Sequence, residues 1–152
     1  MKLTAIIAVV GVLFAASINC FSASPAGPDG WQTIKDRTGV CQISIPSNWS
    51  AIPSMPGQFA SPEHIASVVI AGHERAHATM TDEQKRIYGA DKMIENTADL
   101  WLYASKPTAQ NVITYHVNVP ISGHVCSAEL TVKVGHSEDE IKKIAATVGA
   151  AK

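Results

Sequence analysis

Hydrophobic and polar positions change period several times along the chain. In "VCQISIP", Cys41, Ile43 and Ile45 alternate with Gln42 and Ser44. That period of two predicts a strand with one covered face, and Pro46 ends it. "GWQTIKD" reads as a preceding strand, with a turn at "RTG". "SNWSAIPSMPGQFASPEH" carries three prolines and predicts a long irregular connection. "IASVVIAG" is apolar throughout and β-branched at its centre, as a strand buried on both faces requires.

From Thr81 the period changes. Thr81 and Gln84 have the spacing of a capping box, and Asp82 and Glu83 suit the positive first turn of a helix. Ile87, Ala90, Ile94, Ala98 and Trp101 recur at helical spacing and predict one apolar stripe. "ADLWLYAS" either finishes this helix or begins a strand, and Pro107 ends either version. Alternation then returns. Ile113, Tyr115, Val117 and Val119 face one way, with Thr114, His116 and Asn118 opposite. After a turn at "PISGH", Cys126, Ala128, Leu130, Val132 and Val134 share a face opposite Ser127, Glu129 and Lys133. A last helix starts at Ser137, with Glu140 completing a second capping box, and buries Ile141, Ile144, Ala145 and Val148.

Strands, a helix, a hairpin and a helix follow one another without βαβ alternation. This order predicts an α+β fold: a mainly antiparallel sheet flanked by helices on both faces, an α/β/α sandwich. The start of the chain is read separately, because "LTAIIAVVGVLFAA" is an apolar run of about fourteen residues behind Lys2, followed by small residues. Residues 1–23 are expected to be a cleaved signal peptide, 24–30 a linker, and 31–152 a single domain. The run is shorter than the ~20 residues of a membrane span, so no integral membrane segment is expected after cleavage. Acylation at Cys20 is disfavoured, because Asn19 replaces the small residue a lipoprotein signal places there. The expected location is periplasmic or secreted.

Export changes how the cysteines are read. Cys41 and Cys126 remain in the domain, and an oxidising compartment suggests one disulfide. It would close a loop of about 85 residues and contribute about 4 kcal/mol. The net charge is −1 and no basic run appears, which argues against nucleic acid or an anionic membrane as main partner.

"GHERAHATM" contains His73-Glu74-Arg75-Ala76-His77, the H-E-x-x-H pattern of zinc peptidases. Two histidines four apart on a helix share one face and can bind one zinc, while the Glu takes a proton from metal-bound water. On this alternative reading His73, His77 and Glu95 bind zinc, Glu74 is the base, and Asp99 in "ENTAD" orients a histidine. The surroundings speak against it. Arg75 stands where such helices carry a bulky apolar anchor, and Gly72 with a β-rich run precedes the motif. The nearest helix start, Thr81, comes only after His77. No cofactor is therefore expected on the main reading.

Other chemistry is sparse. His116 and His124 flank the "VPISGH" turn, either as exposed hairpin residues or as parts of a second metal cluster. Trp31, Trp49 and Trp101 either fill the core or line a binding pocket. Asn48-Trp49-Ser50 is formally a glycosylation sequon. There is no Gly-rich phosphate loop and no G-x-S-x-G elbow.

The Ile-Pro-x-x-Trp strand end in "VCQISIPSNW", the later "SPEHIASVVIAG", and the closing hairpin with "HSEDEIKKIAATV" together resemble exported bacterial PsbP-like domains. The resemblance covers about residues 30–150 and implies an antiparallel sheet between helices and an auxiliary binding or assembly role without catalysis. Paired cysteines at Cys41 and Cys126 are not general in that family. The expectation is thus an exported binding or assembly-accessory domain with an unknown protein or small-molecule partner. Its candidate surface is "SNWSAIPSMPGQF" with "GHERAHATM", through Trp49, His73 and His77. A zinc metallopeptidase and a structural cell-envelope protein are the alternatives.

Overall fold

In the first hairpin, β1 (Trp31–Lys35) pairs antiparallel with β2 (Cys41–Pro46), from Trp31 opposite Pro46 to Lys35 opposite Gln42. The turn is built by Asp36, whose Oδ1 accepts the amides of Val40 and Cys41, each at 2.9 Å. Burial pushes the Asp36 carboxyl up, but hydrogen bonds from the Thr38 hydroxyl and the Cys41, Thr38 and Val40 amides outweigh it and hold its pKa below the usual value. A computed structural model describes residues 30–62, 66–73 and 78–152. The expected signal peptide and all of the linker except Gly30 lie outside these residues.

The elements that follow are β3 (Ser50–Ala51), β4 (Gln58–Ala60), β5 (Ala66–His73), α1 (Asp82–Ile87), β6 (Lys92–Asn96), β7 (Trp101–Ala104), β8 (Val112–Ile121), β9 (His124–Lys133), α2 (Glu138–Ala145) and β10 (Gly149–Ala150). They form two antiparallel sheets. One has the order β1-β2-β10, the other β3-β4-β5-β9-β8-β7-β6. Mainly antiparallel pairing with two helices among the described residues agrees with the expected class. The long irregular connection does contain a short hairpin, β3–β4, with Ser50 opposite Ala60. The strand expected at "IASVVIAG" is β5, an interior strand between β4 and β9; the covering of its side chains lies outside the described residues.

The small sheet and α2 cover one face of the large sheet. Ile43 and Ile45 from β2, Val117 from β8, Leu130 and Val132 from β9, and Ile141 and Ile144 from α2 make one core with almost no exposed surface. Each such side chain contributes about 1.5–3 kcal/mol through burial. Thr147, after α2, ties the helix to β2: its hydroxyl accepts the Ser44 amide (2.9 Å) and lies within hydrogen-bond distance of the Ser44 and Ile144 carbonyls. Ser44, expected on a polar face, is therefore buried. At the other end of α2, Glu138 pairs with Lys92 of β6 and with Lys142. Helices were expected on both faces. Helix α2 packs on β2, whereas α1 buries none of its residues.

Three expectations are corrected. The helix from Thr81 does not reach Trp101. It starts with the expected capping box but stops at Ile87 in a Schellman motif, with the Gly89 amide on the Arg86 carbonyl and the Ala90 amide on the Lys85 carbonyl. Gly89 has φ +65°, which a glycine adopts without steric cost. Ile94 and Trp101 belong to the β6–β7 hairpin, Ala98 to its turn. Val134 lies past the end of β9 and is 53% exposed. Ser137 stands at the N-cap of α2 without a side-chain cap hydrogen bond, so the second capping box is not formed.

Candidate functional site

The second face of the large sheet is covered too, though by less. Trp101 and Tyr103 of β7 pack there with Met80, and all three are buried. The backbone of Ala78–Met80 is clamped to this face. Trp101 Nε1 donates to the Ala78 carbonyl (2.7 Å), Asn96 Oδ1 accepts the Met80 amide (2.7 Å), and Asn96 Nδ2 donates to the Met80 carbonyl (3.0 Å). Helix α1 follows at once. Its charges satisfy each other locally, Lys85 with Asp82 and Arg86 with Glu83, and its end displays Ile87 at 63% exposure and Tyr88 at 46%.

His73 is the last residue of β5, opposite Val125 of β9. The H-E-x-x-H pattern therefore begins on a strand, where its first histidine has no helical face to share. Residues 74–77, including Glu74 and His77, lie outside the described residues, as does the side chain of His73. Glu95 is exposed on β6, beside a bulge between Met93 and Glu95. Strands β9, β8 and β7 lie between β5 and β6, a separation of roughly 19 Å at about 4.8 Å per strand. That exceeds what an imidazole and a carboxylate reach toward one metal at about 2 Å. Asp99 sits in the β6–β7 turn, its amide on Thr97 Oγ1 (3.3 Å), so "ENTAD" is a strand end and turn rather than a ligand helix. The fold does not bring Glu95 to His73.

Trp49 is 5% exposed inside the core around β2, where the core-filling reading puts it. Gln32 Nε2 donates to its carbonyl (2.6 Å) and holds it there. Trp31 packs against the same core.

One cross-strand row leaves no local pattern in the sequence. Tyr103, His116 and Glu129 stand opposite one another on β7, β8 and β9. The rings of Tyr103 and His116 stack at 4.8 Å and 14°. His116 Nδ1 lies 3.4 Å from Glu129 Oε1. Burial lowers the His116 pKa, and the Glu129 carboxylate opposes this only in part. In the next row the Ser127 hydroxyl donates to Asn118 Oδ1 (2.8 Å), and Asn118 is buried. The polar face of β8 is thus partly covered, with Asn118 buried and His116 half-buried rather than exposed. His124 is exposed at the start of β9, opposite Ile121, and does not meet His116. Among the described residues no three His, Cys, Asp or Glu side chains converge as metal ligands, and no helix is long and apolar enough to cross a membrane.

No protein-family model matches the chain, and no curated protein matches it in sequence. Solved structures do resemble it. A protein from Bacteroides thetaiotaomicron, 15% identical, matches with a TM-score of 0.56 over 79% of this chain and 48% of its own. The present chain thus spans about half the length of that relative. Cyanobacterial PsbP (CyanoP) from Synechocystis, 12% identical, matches with a TM-score of 0.47 over 85% and 97%. The Saccharomyces cerevisiae Ran-binding protein Mog1p, 7% identical, matches with a TM-score of 0.52 over 80% of this chain and 96% of its own, and the likeness to it is one of fold.

Proposed function

We propose that this chain is an exported, non-catalytic binding or assembly-accessory domain whose partner is a protein, engaged through the segment running from the end of β5 through α1. One observation carries the reading. Helix α1 buries none of its residues and ends on Ile87, 63% exposed. A six-residue helix is marginal in water by itself, and Ile87 with its neighbour Tyr88, 46% exposed, forms an adjacent apolar pair at its end, the kind of contiguous apolar surface that a partner covers. The clamp at Ala78–Met80 fixes where that element sits. His73 and His77, expected at the binding surface, belong to the same stretch of chain. Trp49, being buried, does not line it.

Export is supported by the apolar start of the chain and by the Cys41–Cys126 disulfide, which suits an oxidising compartment. A protein partner is supported by the fold shared with Mog1p, itself a Ran-binding protein. The PsbP-like resemblance in sequence adds the assembly-accessory role.

The test uses the mature, disulfide-bonded protein as bait in envelope and culture-medium fractions of its own cells, beside an Ile87→Asp variant with an unchanged melting curve. A partner retained by the wild type and lost by the variant supports the reading; equal capture by both removes α1 from it. Near-stoichiometric zinc in untagged protein, lost in Glu95→Ala, would overturn it in favour of the peptidase.

A further inference from the structure

Both helices start with a sequence able to form a capping box, yet only α1 makes one. There the Gln84 amide donates to Thr81 Oγ1 (3.2 Å) and the Thr81 amide to Gln84 Oε1 (2.9 Å). In α2, Ser137 and Glu140 hold the equivalent positions, but the Ser137 side chain makes no cap hydrogen bond. Glu140 Oε2 lies instead 3.2 Å from Nε2 of His136. The His136 side chain is 11% exposed, and its Nε2 is buried. The separation is that of an ion pair, but the contact does not meet the geometry of a hydrogen bond, so among the described residues Nε2 has no hydrogen-bond partner. Charge attraction depends weakly on direction, so the short separation governs the pair once the ring is charged.

We propose that the first turn of α2 is a two-state cap governed by protonation of His136. The imidazolium holds Glu140 and leaves the cap open. The neutral ring releases it, and Glu140 turns to the Ser137 amide and closes the box as Gln84 does in α1. A misdirected contact to a neutral ring is a weak competitor for a reciprocal pair of cap bonds, whereas a full charge is a strong one. Among the described residues Glu140 is the only acidic group within ion-pair distance of His136. Glu138 in the same turn is engaged by Lys92 and Lys142, and Asp139 is exposed. The backbone amide of His136 is held by the Lys133 carbonyl, so the ring pivots from a fixed point. Because Glu138 ties this turn to β6, the cap lies where the sheet edge meets α2.

The experiment follows the Ser137 and Glu140 amides by NMR while the His136 ring is titrated in the intact protein. The expected result is that both amides shift with the ring's own midpoint, and that protection of the Ser137 amide from exchange rises about fivefold as the ring loses its proton, the equivalent of one cap bond of about 1 kcal/mol. His136→Gln and Glu140→Gln should each show the closed, pH-independent pattern. A wild-type Ser137 amide that stays constant through the titration overturns the proposal, and so does a pH response that survives in His136→Gln.

Discussion

Cys41 and Cys126 lie 5.4 Å apart between Cα atoms, on β2 of the small sheet and β9 at the centre of the large one, with neither side chain exposed. The bond closes a separation of 85 residues and joins the two layers through the middle of the core. Replacing both cysteines by serine removes that restraint on the unfolded chain and puts hydroxyls among Ile43, Val117 and Leu130. The expected cost is about 2–5 kcal/mol in urea unfolding. With no surface open to a thiolate, the bond in the native protein should resist dithiothreitol and yield once urea opens the core. Reduction at equal rates with and without urea would mean that the layers part in the native state.

His116 should make stability depend on pH in a definite direction. Burial places its folded pKa below the usual 6.5. Between those two values the unfolded chain binds a proton that the folded chain does not. Stability is therefore full above about pH 6.5 and falls as the pH drops through the folded value. His116→Gln should remove this part of the slope while leaving stability near pH 8 little changed. Glu129→Gln takes away the group that favours the charged ring and should lower the His116 midpoint further, read from its ring proton shifts. A midpoint that rises instead would show that Glu129 does not act on it.

Where the sequence carried the fold, it did so through alternation. Cys41, Ile43 and Ile45, and Cys126, Ala128, Leu130 and Val132, each read as one covered face, and each is one. Alternation fails between Lys92 and Ala104 for two physical reasons. A bulge between Met93 and Glu95 breaks the period of two, and all four residues of β7 are buried, so no polar residue marks a face. With that signal gone, the chance helical spacing of Ile87, Ala90, Ile94, Ala98 and Trp101 stood out, although Gly89 between them was the stop signal. The Tyr103–His116–Glu129 row depends on register across three strands, which no local pattern carries. Glu140 fits a capping box by spacing, but His136 competes for it in space.

Asn96 should matter more than a half-buried polar residue at a strand end usually does. Its amide group satisfies both the N–H and the C=O of Met80, a residue only 2% exposed. Asn96→Ala leaves two buried backbone groups without partners, at about 1–3 kcal/mol each. Asn96→Asp retains an acceptor for the Met80 amide but can no longer donate to its carbonyl, so its melting temperature should fall between wild type and alanine. Equal stability of all three proteins would show that the clamp adds nothing to holding Ala78–Met80 on β6 and β7.

Helix α1 should melt without the rest of the domain. It contributes no side chain to either core, so its stability rests on the capping box, the Schellman turn and two exposed ion pairs, each worth about 1 kcal/mol or less on average. Thr81→Ala removes the acceptor of the Gln84 amide and should speed exchange of the Lys85 and Tyr88 amides, which bond to the Thr81 and Gln84 carbonyls, about fivefold. The urea midpoint of the whole domain should stay where it is, because local opening of α1 exposes no core. The same variant separates two ways of binding by their rates, since the lost cap weakens equilibrium capture equally in both. If a partner takes α1 already folded, association slows in proportion to the lost helix. If the partner folds α1 on contact, association is little changed and dissociation quickens. A urea midpoint that falls with the cap would place α1 inside the cooperative unit, and the exposed Ile87 would then need a structural explanation rather than a partner.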